Sequence, residues 1–162
     1  MFKIKKNTIN KKKLKNFINK ISNSYFPWYL QKEINEFDES GYGYFTHSLF
    51  LDRKINSPFY ELIMPDIIKS LNIKSLIRAR LNLYPKTSKT IKHAYHVDYK
   101  FKHTSAVYFI NTNNGFLFFK NPLKKVKPEI NKCVIFNGAH SHASSSCTDK
   151  SNRITLNINY EF

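Results

Sequence analysis

From about Leu76 onward the chain is written in short runs of β-branched and aromatic residues: SLIRARLNLY, SAVYFIN, GFLFF, CVIF and RITLNINYEF. Between them stand YPKTSK, NTNNG, KNPLKK, FNGA and CTDKSN, rich in the residues that tight turns require. Strands this short, joined this tightly, pair antiparallel and close into a sandwich, jelly roll or barrel. The preceding part has another texture. Leu14, Phe17, Ile18 and Ile21 recur at helical spacing with lysines on the other faces. Phe59, Leu62, Ile63, Ile67, Ile68 and Leu71 repeat that pattern across Pro65, which kinks the helix or divides it in two. A short strand is expected at Phe2–Lys5, and GYGYFTHSLFL, after the aromatic-rich FPWYLQKEI, reads as extended. At 162 residues the chain has the length of one domain. The expected plan is mainly β with N-terminal helices: a helical, capping part over 1–75 buttresses a β core over 76–162.

The formal charge of +16 raises the question of a polyanionic partner. Eight lysines lie within residues 3–20, and no acid precedes Glu33. The positive charge is nonetheless almost all lysine, with arginine only at 53, 78, 80 and 153. Abundant Asn, Ile, Phe and Tyr are what an AT-rich genome writes through codon usage. The basic start is therefore read as a solvated helix face, with a nucleic-acid contact as the alternative. No apolar run is long enough to span a membrane, and MFKIKKN leads into polar sequence rather than an apolar signal core. A soluble, unexported, cytoplasmic protein without a membrane partner is expected. Cys133 and Cys147 lack CxxC spacing, so reduced thiols are expected.

Chemistry enters with HAYHVDYK, residues 93–100. In a strand, side chains at i and i+2 share a face, so His96 and Asp98 would present an imidazole and a carboxylate together. A lone HxD arises readily by chance. It gains weight from a third ligand on a distant strand, and NGAHSHASSSCTDKSNR supplies His140 and His142. Two histidines and a carboxylate with open positions suit non-haem Fe(II). Arg153 adds a second constraint. In a buried final strand a lone guanidinium is costly unless an anion pairs with it, and its planar fork suits a carboxylate. An inward Arg153 shares its face with Thr155, Asn157 and Asn159, and leaves Ile154, Leu156 and Ile158 on the other.

LIRARLNLYPKTSKTIKHAYHVD, AVYFINTNNGFLFF and IFNGAHSHASSSCTDKSNRITLNINY together resemble the Fe(II)- and 2-oxoglutarate-dependent dioxygenases. Within them, the chain looks like the small prolyl-4-hydroxylase-like members of phages and marine bacteria. FPWYL and GYGYFTH extend the resemblance over most of the chain, and it is strongest from about residue 76. It implies a double-stranded β-helix, the cupin-like jelly roll, with Fe(II) held by His96, Asp98 and His142. The spacing His142-x10-Arg153 matches the family, and His140 falls where relatives carry a non-ligand residue. Arg153 would bind the distal carboxylate of 2-oxoglutarate. Tyr84 stands where relatives often place a phenol facing the co-substrate, with Asn82 as its neighbour. Phe109 departs from the pattern, because some prolyl hydroxylases have a tyrosine there that helps hold 2-oxoglutarate. Tyr84 or Asn157 would have to supply that hydrogen bond.

The resemblance implies a hydroxylase that converts 2-oxoglutarate and O2 to succinate and CO2, with ascorbate as a possible reductant. An amino-acid or peptidyl, prolyl-like substrate is expected, in a bacterial or phage-infected host cell. A nucleic-acid-directed oxygenase and a non-catalytic cupin-like module that binds metal or an anion are the alternatives. His93 and His103 are expected at the surface. Trp28 and Tyr29 are expected in core or lid packing.

Overall fold

The computed structural model describes residues 2–33 and 41–161. Residue 34, which closes FPWYLQKEI, and the terminal Phe162 lie outside the described residues. Strand β1 (Phe2–Lys6) leads into helix α1 (Lys11–Ile21). Asn10 caps that helix by accepting from the amides of Lys12 and Lys13, and Leu14, Phe17 and Ile21 are its buried stripe. Then follow β2 (Tyr29–Gln31), β3 (Tyr44–Leu51) and β4 (Lys54–Ile55). Pro65 divides the second helical pattern rather than kinking it. A 3-10 helix (Pro58–Leu62) ends before α2 (Met64–Leu71), and Pro65 sits in the first turn of α2, where no N–H is missed. Asn72, left-handed at φ 54°, closes α2. The rest is strand: β5 (Ser75–Pro85), β6 (Thr104–Phe109), β7 (Leu117–Phe119), β8 (Lys124–Val126), β9 (Lys132–Asn137), β10 (His142–Ala143) and β11 (Asn152–Glu161).

Every strand pair is antiparallel, and the strands form two sheets. The large one has the order β1-β9-β6-β11-β5-β3-β2, with β4 on β3, and the small one has β10-β7-β8. The expected jelly roll is present. The N-terminal part is more than a helical buttress, however, because its extended runs close both edges of the large sheet.

Strand alternation sorts the core into two compartments. Ala106 and Tyr108, Cys133 and Ile135, and Ile154, Leu156 and Ile158 face the helices and pack with Phe17, Met64 and Ile67. Val107 and Phe109, with Val134 and Phe136, face the small sheet and meet Leu117, Phe119 and Val126. That second cluster is dry only under β6 and β9. Across β11 and β5 the same sheet face turns polar.

His103 is buried, not exposed as its sequence context implied. Its Nδ1 lies 2.8 Å from the carbonyl of Phe101, and its ring lies flat against Gly138. A Cβ on Gly138 would stand 2.0 Å from Nε2 of that ring. Gly138→Ala should therefore cost about 1–3 kcal/mol of overpacking, read as a lowered Tm.

Candidate functional site

The polar floor of the site is built rung by rung. On β5, Arg78, Arg80, Asn82 and Tyr84 alternate with Ala79, Leu81 and Leu83. Each polar residue stands opposite an inward residue of β11: Asn159, Asn157, Thr155 and Arg153 in turn. Facing this floor, the small sheet offers His142 on β10, and a bridge from His96 to His142 attaches the HxD segment to its edge. The HxD pair is therefore not on a regular strand. The segment is irregular: it meets β10 at this bridge, and it meets the residues after β10 at the Lys92–Ser145 bridge and through backbone bonds from His93 to Ser144 and from Ser146 to Ile91.

The bridge brings His96, Asp98 and His142 together, with one ligand atom of each lying within 4.8 Å of the others. Nδ1 of His142 faces the carbonyl of His140 at 3.1 Å, and Nδ1 of His96 faces that of Ala94 at 3.4 Å. A carbonyl only accepts, so Nδ1 carries the proton in His142 and Nε2 keeps its lone pair. That Nε2 is buried without a hydrogen-bond partner among the described residues, 4.0 Å from a carboxylate oxygen of Asp98. Burial also pushes His142 below the usual imidazole range, against the pull of Asp98, which favours the neutral ring a metal needs. His140 contributes its carbonyl, while its ring is outside the ligand cluster.

Asp98 is held from outside by residues that the motif alone did not reveal. Arg78 donates to one oxygen at 2.7 Å, and Asn159 and Ser105 donate to the other at 2.9 and 3.2 Å. Arg78 also donates through Nε to the Asn159 amide oxygen at 3.0 Å. Burial opposes the charge on Asp98, but the Arg78 guanidinium and the Asn159 amide overcome it and hold the carboxyl well below the usual carboxylate range. Arg78→Gln should weaken Fe(II) binding roughly 10- to 100-fold, as loss of an outer partner does at metal sites, measured by anaerobic titration.

Arg153 is 1% exposed and makes no ion pair among the described residues. One terminal nitrogen donates to Ser144 at 2.5 Å, and Nε has no partner there. Its guanidinium lies 5.3 Å from the Tyr84 ring centre and 5.9 Å from that of Phe109. Tyr84 stacks between Tyr44, at 5.3 Å, and His93, at 5.1 Å. His93 is thus buried in this stack, correcting its expected surface position. A ring can be sealed in by elements remote in sequence, which local polarity does not announce.

The recess between floor and small sheet encloses about 380 Å³, open solvent included. Arg80, Tyr84, Arg153, Thr155 and Asn157 line it on one side, and His96, His142, Leu117 and Ser144 on the other. Asn82 lies on the same β5 face without reaching the recess lining, and both of its side-chain polar atoms lack partners among the described residues. So do Oδ1 of Asn157 and Nε of Arg80. Buried polar atoms are nearly always satisfied in folded proteins, and this many orphans on one floor mark the place of a polar ligand. Two imidazoles and a carboxylate suit Fe(II), and the lone buried guanidinium suits a dicarboxylate. The residues present fit both groups. Sequence reasoning missed Tyr44, Arg78, Arg80 and Ser144, although the alternation R-x-R-x-N-x-Y in β5 carried the signal for two of them, Arg78 and Arg80.

No protein-family model matches the sequence, and no curated protein matches it significantly. Solved structures do share its fold. An oxidoreductase of the 2OG-Fe(II) oxygenase family from Burkholderia pseudomallei superposes with TM-score 0.75 at 13% identity, covering 99% of this chain and 84% of that one. The fold is accordingly that of a 2-oxoglutarate- and Fe(II)-dependent oxygenase jelly roll. More narrowly, a Pseudomonas putida prolyl-4-hydroxylase matches with TM-score 0.68 at 13% identity, over 99% of this chain and 92% of the other. The epimerase SnoN, in complex with Fe3+, alpha ketoglutarate and nogalamycin RO, matches with TM-score 0.72 at 8% identity, over 98% and 78%. One fold thus serves different substrates, so chemistry must be argued from the site.

Proposed function

We propose that the protein is an Fe(II)- and 2-oxoglutarate-dependent dioxygenase that hydroxylates an amino-acid or peptidyl, prolyl-like substrate. The observation that carries this is the pairing, at one recess, of a His-Asp-His donor set with a buried arginine that has no acid partner among the described residues. His96, Asp98 and His142 would hold the iron, and Arg153 the far carboxylate of 2-oxoglutarate. Iron and co-substrate would supply the oxidising chemistry, consuming O2 and 2-oxoglutarate and releasing succinate and CO2.

This chain's residues do the rest. Arg78 and Asn159 keep Asp98 ionised and aimed, and Ser144 steadies the Arg153 fork. Val107 and Leu117 line the recess with apolar surface and exclude water. Phe109 sits near the guanidinium as a ring without a hydroxyl. Hydrogen bonding to the co-substrate then falls to the Tyr84 phenol or to the side-chain N–H of Asn157, the groups of the lining that can donate in its place. The substrate class rests on likeness to the prolyl hydroxylases.

The test is anaerobic. Fe(II) and 2-oxoglutarate should together produce a visible charge-transfer band, and admitting O2, with ascorbate present, should yield succinate. Absence of both would sink the proposal. A band without succinate, even with prolyl peptides, would favour a binding module that does not turn over. Among the described residues no helix is long and apolar enough to cross a membrane.

A further inference from the structure

The face of the small sheet turned away from the recess carries a pattern that the proposed reaction does not use. In β7, Leu117 and Phe119 are buried, so alternation sends Phe116, Phe118 and Lys120 to the opposite face. Phe118 pairs with Ala143 on one side and with Lys125 on the other. Its ring lies 5.8 Å from that of Phe116, and Lys125 Nζ lies 5.0 Å from the Phe116 centroid. On the other flank, Lys92 Nζ stands 4.1 Å from the ring of Tyr95 and 5.1 Å from that of Phe118. The three rings are half-buried, and the three lysines are exposed.

Charge says what could cover this face. From Lys86 to Lys127 the sequence has nine lysines and one acid, Asp98, which is spent on Arg78. Lys92, Lys120 and Lys125 make no ion pair among the described residues. A solvated face has no need of rings beneath its lysines, and an acidic peptide would need only the lysines. Ammonium groups alternating with flat rings answer a ligand that alternates anions with flat π-surfaces. A duplex conceals the faces of its bases, whereas a single strand exposes them.

We propose that this outer face binds single-stranded nucleic acid, with phosphates on Lys92, Lys120 and Lys125 and bases on Tyr95, Phe116 and Phe118. The surface lies on the far side of the sheet from the recess, so it does not depend on the oxygenase assignment.

Labelled oligo-dT and oligo-rU of about 16 nucleotides, the upper end of the range for one single-strand binding fold, are titrated against the full chain by fluorescence anisotropy. Both should bind at about 50 mM salt and weaken as salt rises, with a log–log slope near −0.7 per phosphate contacted. Lys92→Ala combined with Lys125→Ala should weaken binding roughly tenfold or more and flatten the slope by about 1.4. Phe118→Leu should weaken binding roughly fivefold or more while leaving the slope unchanged, because stacking carries no counterion. Tyr95→Leu serves in its place should the Phe118 variant melt below the parent.

Four results would overturn the proposal. They are no binding at low salt, both ring variants neutral, equal competition by a duplex or by polyglutamate, and loss confined to a variant with Lys11, Lys12 and Lys13 changed to alanine. The last would move the contact to the basic helix, and polyglutamate competition would mark unspecific attraction for polyanions.

Discussion

Replacing His142 by alanine should abolish Fe(II) binding, while replacing His140 should leave it largely intact. The two differ by two positions in sequence and by everything in environment. His142 is buried, its Nδ1 faces the carbonyl of residue 140, and its Nε2 looks toward Asp98 and His96. His140 supplies only that carbonyl, which alanine supplies equally well. Loss of a ligand should cost more than the roughly 10- to 100-fold typical of an outer-shell partner, so no binding should be seen at micromolar Fe(II). Anaerobic titration with Fe(II), or with Mn(II) followed by magnetic resonance, measures it. The reverse outcome would show that the bridge between His96 and His142 is misassigned.

Arg153→Met should remove 2-oxoglutarate binding and leave the ligand-free protein at least as stable as its parent. The guanidinium is desolvated, and among the described residues it pairs with no acid and leaves Nε without a partner, so its burial is not offset there by a counter-charge. Burial accordingly lowers its hold on the proton. A carboxylate arriving there meets a preorganised partner, and truncating one side of such a pair costs about 2–5 kcal/mol of binding, tens- to thousands-fold in affinity. Methionine fills similar volume without charge. The expected signature is opposed: affinity for 2-oxoglutarate falls while Tm of the unliganded protein holds or rises. A variant that is merely destabilised would show that Arg153 serves the fold.

Much of this was written locally. Turn-punctuated β runs predicted antiparallel strands in a sandwich, jelly roll or barrel, the family resemblance singled out the jelly roll, and alternation in RITLNINY separated the inward Arg153, Thr155 and Asn157 from the apolar Ile154, Leu156 and Ile158. The same alternation stood in LIRARLNLY, where the intervening apolar residues drew attention away from Arg78 and Arg80. Their roles emerge only from register, since Arg78 meets Asn159 across the sheet and Asp98 from a different segment. His93 and His103 were illegible for a related reason. Each is covered by another element of the fold, β5 through Tyr84 in one case and the turn after β9 through Gly138 in the other. The nature of the HxD segment, irregular rather than strand, also depended on how briefly β10 pairs with it.

The ligand triad is divided between unequal supports. Asp98 is moored to the broad sheet through Arg78, Asn159 and Ser105, whereas His142 and His96 ride on a sheet whose strands are two or three residues long. A metal ion held across them would act as a rivet between a stiff plate and a light one. Its loss should therefore be felt asymmetrically. Amide hydrogen exchange in β7, β8 and β10 should quicken on chelation far more than in β5 or β11, so the light plate loosens while the frame stays shut.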